Sequence, residues 1–272
     1  MPRRSFTALL LSGLFGRAAA VPAQPPAVPS PAHRVGIVLL HGIGATGESM
    51  APLAARLREP GWRVLSPDMP YGGPQAFSQP VAAAERIVQS ALDSLRREGA
   101  TRLVLAGFSL GGFFAAHMAG RVPVDALVAI APNGGSDMKP LGDQVAKARE
   151  LIAAGRGEEP TMLQDSDVVS PARYELPHAV PSAYVSWFDP EGVMNWRAVW
   201  RRLRPGTPVL LVVPTRDLAN LRKVKGELWS GLPPHPGHRL YEPRSDHLGA
   251  PMASAQEAVR WIRETVESAA VR

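Results

Sequence analysis

Short apolar runs alternate with longer amphipathic stretches from residue 35 to near the end of the chain. VGIVLL (35–40), RVLSP (63–67), RLVLAG (102–107), ALVAIA (126–131), PVLLVV (208–213) and HRLYEP (238–243) are β-branched or almost continuously apolar. Such runs predict strands covered on both faces, because a strand with one wet face would alternate with a period of two. Between them, MAPLAARLR (50–58), the stretch from about Pro80 to Arg97, FFAAHMAGR (113–121), LANLRKVKGELW (218–229) and ASAQEAVRWIRETVES (253–268) predict helices. Buried strands separated by helices predict an α/β fold with a doubly wound, mostly parallel sheet. The alternation breaks between about residues 132 and 205, where helical patterns mix with irregular Pro- and Gly-rich stretches. That segment, about 133–205, is expected to be an insertion that lies as a lid or cap over the C-terminal edge of the sheet, where ligands of such folds bind.

The first 23 residues read as an address. MPRRSFTALLLSGLFGRAAAVPA has a basic start at Arg3 and Arg4, an apolar stretch from Phe6 to Phe15 and small residues from Ala18 to Ala23. This is the layout of a secretory signal peptide. The apolar stretch is too short to span a bilayer, which takes roughly 20 residues, so no stable membrane insertion is expected. The Arg-Arg-Ser-Phe start and Arg17 suit a twin-arginine signal, and the general secretory route fits equally well. Residues 24–33, QPPAVPSPAH, form a Pro-rich linker, and 34–270 form one domain with its insertion. The expected location is periplasmic or secreted.

Charge changes the picture little. Without Arg3, Arg4 and Arg17 the formal net charge falls from +6 to +3, and the remaining arginines are scattered. Neither a dense basic stripe nor an aromatic RNA-binding motif is present, which argues against nucleic acid. The chain has no cysteine, so a disulfide, a thiol nucleophile and a Cys-based metal site are excluded. No residue pattern resembles a zinc, calcium or nucleotide site, so no cofactor is expected.

One serine stands out. Ser109 lies in AGFSLGGFFAAHMAG, between an apolar strand and a small-residue helix, with Gly107 two residues before it and Gly111 two residues after. A serine on a sharp strand-to-helix turn needs small residues at those positions, because bulky ones would collide with the adjoining strand and helix. The turn lifts the hydroxyl above the sheet and faces it with helix N–H groups. The alternative is a serine that merely caps the helix.

A serine hydroxyl is a poor nucleophile until a base takes its proton. Of the seven histidines, His33 is in the linker, His41 opens the first loop, His117 is two turns into the helix after Ser109, His178 and His235 are in Pro-rich stretches, and His238 begins the last strand. His247 follows the last strand in RSDHLGAP, on the edge that Ser109 shares, and is the expected base. The orienting carboxylate is expected at Asp217, at the end of PVLLVVPTRD. Asp217 could instead cap the following helix. Asp246 would point away from the base, and Asp137 and Asp189 are the reserve acids.

These residues resemble the α/β-hydrolase family, over about residues 34–268. The nucleophile elbow is Gly107-Phe108-Ser109-Leu110-Gly111, and the chain order Ser109, Asp217, His247 is that of the family. LLHGIGATGES, from Leu39, resembles its His-Gly oxyanion loop. The resemblance implies an oxyanion hole from two backbone N–H groups, mapped here to Ile43 and Leu110, with His41 and Asp68 structural. It also implies hydrolysis of a small-molecule carboxylic ester through an acyl-enzyme. The same fold and triad serve acyltransferases, peptidases and hydrolases of other bonds, and a dead-site binding protein is the non-enzymatic alternative.

The insertion holds PSAYVSWFDPEGVMNWRAVW (181–200), with three of the six tryptophans. Its rings either anchor the insertion onto the sheet edge or line an apolar acyl or aryl pocket. On the second reading Trp187, Phe188 and Trp196 are the substrate contacts.

Overall fold

The computed structural model of the protein describes residues 35–134, 142–166, 173–190 and 192–267. The leader, the linker and the reserve acid Asp137 lie outside the described residues. Six strands form one parallel sheet: β1 (Val35–Leu40), β2 (Arg63–Leu65), β3 (Arg102–Phe108), β4 (Ala126–Ile130), then β7 (Val209–Val212) and β8 (Arg239–Tyr241), in the spatial order β2-β1-β3-β4-β7-β8. All six expected strands are present. Every residue of β1, β4 and β7 is buried, which is why their sequences carry no polar alternation.

The chain steps from β1 to β2 in one direction and then from β2 through β3, β4, β7 and β8 in the other. Right-handed crossovers therefore put the helix α1 (Ala51–Arg58) on one face and α2 (Val81–Arg97), α3 (Leu110–Arg121) and α7 (Ala219–Ser230) on the other. The last helix, α8 (Ala250–Ile262), packs on α1, and a short π-helical turn, Arg263–Glu267, follows it. The direction reverses between β1 and β3, so a crevice opens at the carboxyl ends of those two strands. The loop after β1 carries Ile43, and the turn after β3 carries Ser109.

Between β4 and β7 the chain forms α4 (Gly142–Ala153), an antiparallel hairpin of β5 (Thr161–Ser166) and β6 (Arg173–Ala179), α5 (Pro181–Phe188) and α6 (Trp196–Arg201). The hairpin is not foreshadowed by the sequence pattern. Its exposed strand β6 buries only Leu176 and Ala179 and contains Pro177, which cannot donate to a ladder and counts against a strand reading. The segment is fastened to the loop that leaves β2 and to the start of α2. Val180 N–H donates to Phe77 O at 3.2 Å, Val81 N–H to Ser186 Oγ at 3.1 Å, and Trp187 Nε1–H to Gln79 O at 2.8 Å.

Candidate active site

Ser109 has φ +53 and ψ −122, a sparsely populated backbone region that costs about 1–3 kcal/mol in a residue with a side chain. Close packing holds it there. A Cβ on Gly107 would lie 2.3 Å from Gly111 O, and one on Gly111 would lie 2.3 Å from His41 O and 2.5 Å from Leu40 O. Both glycines are thus required by backbone contacts around the turn. Ser109 N–H donates to Ile130 O at 2.9 Å, and Ser109 O accepts from Phe113 N–H at 3.0 Å, which ties the turn to β4 and to the first turn of α3.

The acid and base are brought together by strand pairing that runs past the ends of β7 and β8. Val213 N–H donates to Tyr241 O, Thr215 N–H to Pro243 O and Arg216 N–H to Ser245 O, and Arg216 bridges Asp246. This sets the next pair, Asp217 and His247, side by side. Arg222 adds a guanidinium bond to Asp217 O at 2.9 Å.

The three side chains form one hydrogen-bonded line. His247 Nδ1 lies 2.7 Å from Asp217 Oδ1, and His247 Nε2 lies 3.0 Å from Ser109 Oγ. With Nδ1–H donating to the carboxylate, Nε2 is left as the acceptor for the serine hydroxyl. Ser109, His247 and Asp217 are 2–4% exposed, so the line is shielded from water, and the Phe108 ring lies 5.0 Å from the imidazole. Asp217 Oδ1 also accepts from Leu218 N–H at 2.6 Å. The cap of α7 is Leu218 rather than Asp217, and no side chain caps α8, so neither residue is spent on a helix end. Asp246 points elsewhere, accepting from Gly249 N–H at 2.8 Å. The reserve acid Asp189 pairs with Arg149 at 3.3 Å.

Two loops meet opposite the serine. His41 Nδ1–H donates to Gly42 O at 2.7 Å, and Nε2 accepts from Met69 N–H at 2.9 Å. That pattern needs a neutral ring, and burial holds the His41 pKa below its ordinary value against the raising effects of Gly42 O and Asp68. Asp68 Oδ1 accepts from Gly47 N–H at 2.7 Å. Both residues therefore hold the loop in place. Among the described residues neither Ile43 N–H nor Leu110 N–H has a protein acceptor. Leu110 is the first residue of α3, so its N–H points out of the positive end of the helix.

The tryptophans of the 181–200 stretch are buried. Trp187 is fully buried, with its ring 5.4 Å from Tyr71, 5.9 Å from Phe77 and 5.3 Å from Phe114. Phe188 packs on Phe77 and Tyr184, and Trp196 is 2% exposed. For Trp187 and Phe188 these ring contacts favour the anchoring role over substrate contact, and the Trp196 ring carries the Arg197 guanidinium 4.3 Å from its centroid. Reading the sequence missed a different neighbour of the serine, Asn133, whose N–H donates to Ser109 O at 3.2 Å. Its only signal was its place just after an apolar strand on the same sheet edge.

A doubly wound parallel sheet with a strained serine at its switch point defines a hydrolase of the α/β class. The chain belongs to the alpha/beta hydrolase family, whose sequence profile matches residues 37–268. The fold is shared with a monoacylglycerol lipase of Paleococcus ferrophilus, at 21% identity and a TM-score of 0.63 over 85% of this chain and 94% of that one. A structure reported with the metagenome-derived lipolytic enzymes LipS and LipT matches at 19% identity and a TM-score of 0.62, over 85% and 94%. The enol-lactonase of Burkholderia xenovorans LB400 matches at 18% identity and 0.56, over 85% and 92%. No protein of curated function matches the chain by sequence.

Proposed function

We propose that the protein is a serine esterase, cleaving a small-molecule carboxylic ester through an acyl-enzyme. The observation that carries this is His247, hydrogen-bonded to Ser109 Oγ on one side and Asp217 Oδ1 on the other. Ser109 Oγ attacks the ester carbonyl carbon as His247 Nε2 takes the hydroxyl proton, and Asp217 stabilises the imidazolium that forms. The carbonyl oxygen becomes an oxyanion, which the N–H groups of Ile43 and Leu110 receive. Such donors are typically worth about 3 kcal/mol each. The C–O bond to the leaving alcohol breaks, and His247 returns the proton to that oxygen. Water then attacks the acyl-enzyme by the same relay and frees the acid and Ser109. The lipolytic and lactonase names of the structural neighbours are consistent with an ester carbonyl as the target.

Fluorophosphonate labelling followed by peptide mass spectrometry tests this. Modification at Ser109, absent in S109A and weakened in D217N, is the expected result. A folded protein that takes no label at Ser109 would overturn the reading. We also propose that residues 1–23 are a cleaved export leader and that the enzyme works in the periplasm or outside the cell. N-terminal sequencing of the mature protein should then begin just after Ala20 or Ala23.

A further inference from the structure

Ala131 follows β4 with φ +45, a left-handed value that a residue with a Cβ seldom adopts. Its N–H still pairs with Val212 O at 2.8 Å, so the strain falls where the chain leaves the sheet. From there residues 132–134 turn across towards β3. Asn133 N–H reaches the carbonyl of Ser109, and Gly134 sits so close to Leu110 that a Cβ on it would stand 2.6 Å from Leu110 Cδ1. A strained turn is thereby fastened to the nucleophile elbow, at Ser109 and at Leu110.

Asn133 is 3% exposed. Neither end of its amide has a protein partner among the described residues, and the end assigned as Oδ1 is fully buried. An amide of this kind can make up to four hydrogen bonds, and burying one with none is costly. Asparagine in a turn ordinarily spends its amide on nearby backbone. Here main-chain bonds hold the turn, and the amide's capacity is left over, on the residue whose N–H bonds the Ser109 carbonyl.

We propose that Asn133 is a substrate-binding residue that selects esters carrying a hydroxyl group close to the scissile bond, over plain alkyl esters. This rests on Ser109 being the nucleophile. A hydroxyl oxygen can accept from the amide's N–H group, which a plain alkyl chain cannot do. A site built around a buried amide rejects an analogue that leaves it unpaired.

Two matched pairs of esters test this. One varies the acyl side (p-nitrophenyl 3-hydroxybutanoate against p-nitrophenyl butanoate), and the other the alcohol side (2-hydroxypropyl butanoate against propyl butanoate). The wild-type enzyme should favour the hydroxylated member of at least one pair by about 10-fold or more in kcat/KM. In N133L, which keeps the volume and removes the hydrogen bonds, that ratio should fall to about one. N133A gives the same readout if N133L does not fold. Calorimetric binding of the four esters to S109A, and to S109A carrying N133L or N133A, needs no turnover. Tighter binding of a hydroxylated ester that disappears with Asn133 supports the assignment, and because it is read without turnover, a failure at Asn133 is told apart from a failure of fluorophosphonate labelling at Ser109. Equal ratios and equal affinities in the wild-type and S109A proteins, or a preference that survives both substitutions, would overturn it.

Discussion

Gly111 lies against His41 so tightly that a methyl group on it would come within 2.3 Å of the His41 carbonyl oxygen. The contact joins the turn after β3 to the loop after β1, the two pieces that flank the proposed oxyanion hole. Backbone stands on both sides of it, so no flexible side chain can move aside. G111A should therefore cost about 1–3 kcal/mol of stability or more and most of the esterase activity. Gly226 is the control. It is exposed within α7, and a Cβ there would meet nothing within 4 Å. G226A should stabilise the protein by about 0.5–1 kcal/mol, with activity unchanged, by lowering the entropy of the unfolded chain. Urea unfolding of both variants checks the pair, and a stable, active G111A would refute the account of the elbow.

Asp217 puts one carboxylate oxygen on both His247 Nδ1 and Leu218 N–H. An amide in its place can turn a donor towards Nδ1, which moves the imidazole proton to Nε2 and removes the acceptor Ser109 needs. D217N should leave the melting temperature close to that of the wild type and lower kcat by a factor on the order of 10⁴. D217N with kcat near the wild-type value would mean that another group orients His247.

The central strands β1, β3, β4 and β7 were legible because burial on both faces leaves uninterrupted apolar runs, as in ALVAIA, whereas the short β2 and β8 are only partly buried and were placed by their spacing between helices. The hairpin of β5 and β6 was not legible, because two or three anchoring side chains leave no period to read. Ser109 was legible from its glycines, whose reason proves to be backbone against backbone. Asp217 was ambiguous in the sequence, since an acid after a strand can also cap a helix. What separates the two roles is the β7–β8 register continuing to Arg216 and Asp246, which is tertiary information. The aromatic run 184–200 was legible as important and ambiguous as to purpose, because a ring that binds substrate and a ring that fills a core look alike until their neighbours are known.

Trp187 gives that last distinction a test. Its ring is enclosed by Tyr71, Phe77 and Phe114, and its indole N–H is spent on Gln79 O. W187A should cost about 3–5 kcal/mol of stability, and W187F less, since most of the ring volume remains and one hydrogen bond is lost. Neither should change KM for a short ester in protein that stays folded. A W187F variant with wild-type stability and a raised KM would return this residue to the substrate pocket.

Two histidines, the buried His41 and the partly buried His117, make the fold sensitive to acid. His117 on α3 stacks on Phe114 at 5.3 Å, and its Nε2 lies 2.8 Å from Glu85 of α2, which also holds Arg121 at 3.0 Å. Burial is the largest influence and lowers its pKa below the ordinary 6.5; Glu85 works in the opposite sense, and Arg121 and Arg202 add to the lowering. His41 is lowered in the same direction, and protonation there would break the bond from Met69 N–H. In the unfolded chain both rings titrate near 6.5, so between that value and the lower folded one the unfolded state binds more protons. Stability must then rise with pH across this window. The contribution is complete above 6.5 and is lost as pH falls from there through the folded pKa. The urea midpoint should drop between pH 7.5 and 5.5, and H117Q, which cannot take a proton, should show a shallower drop. An H117Q slope equal to that of the wild type would mean that Glu85 cancels burial and that His117 carries no part of the acid sensitivity.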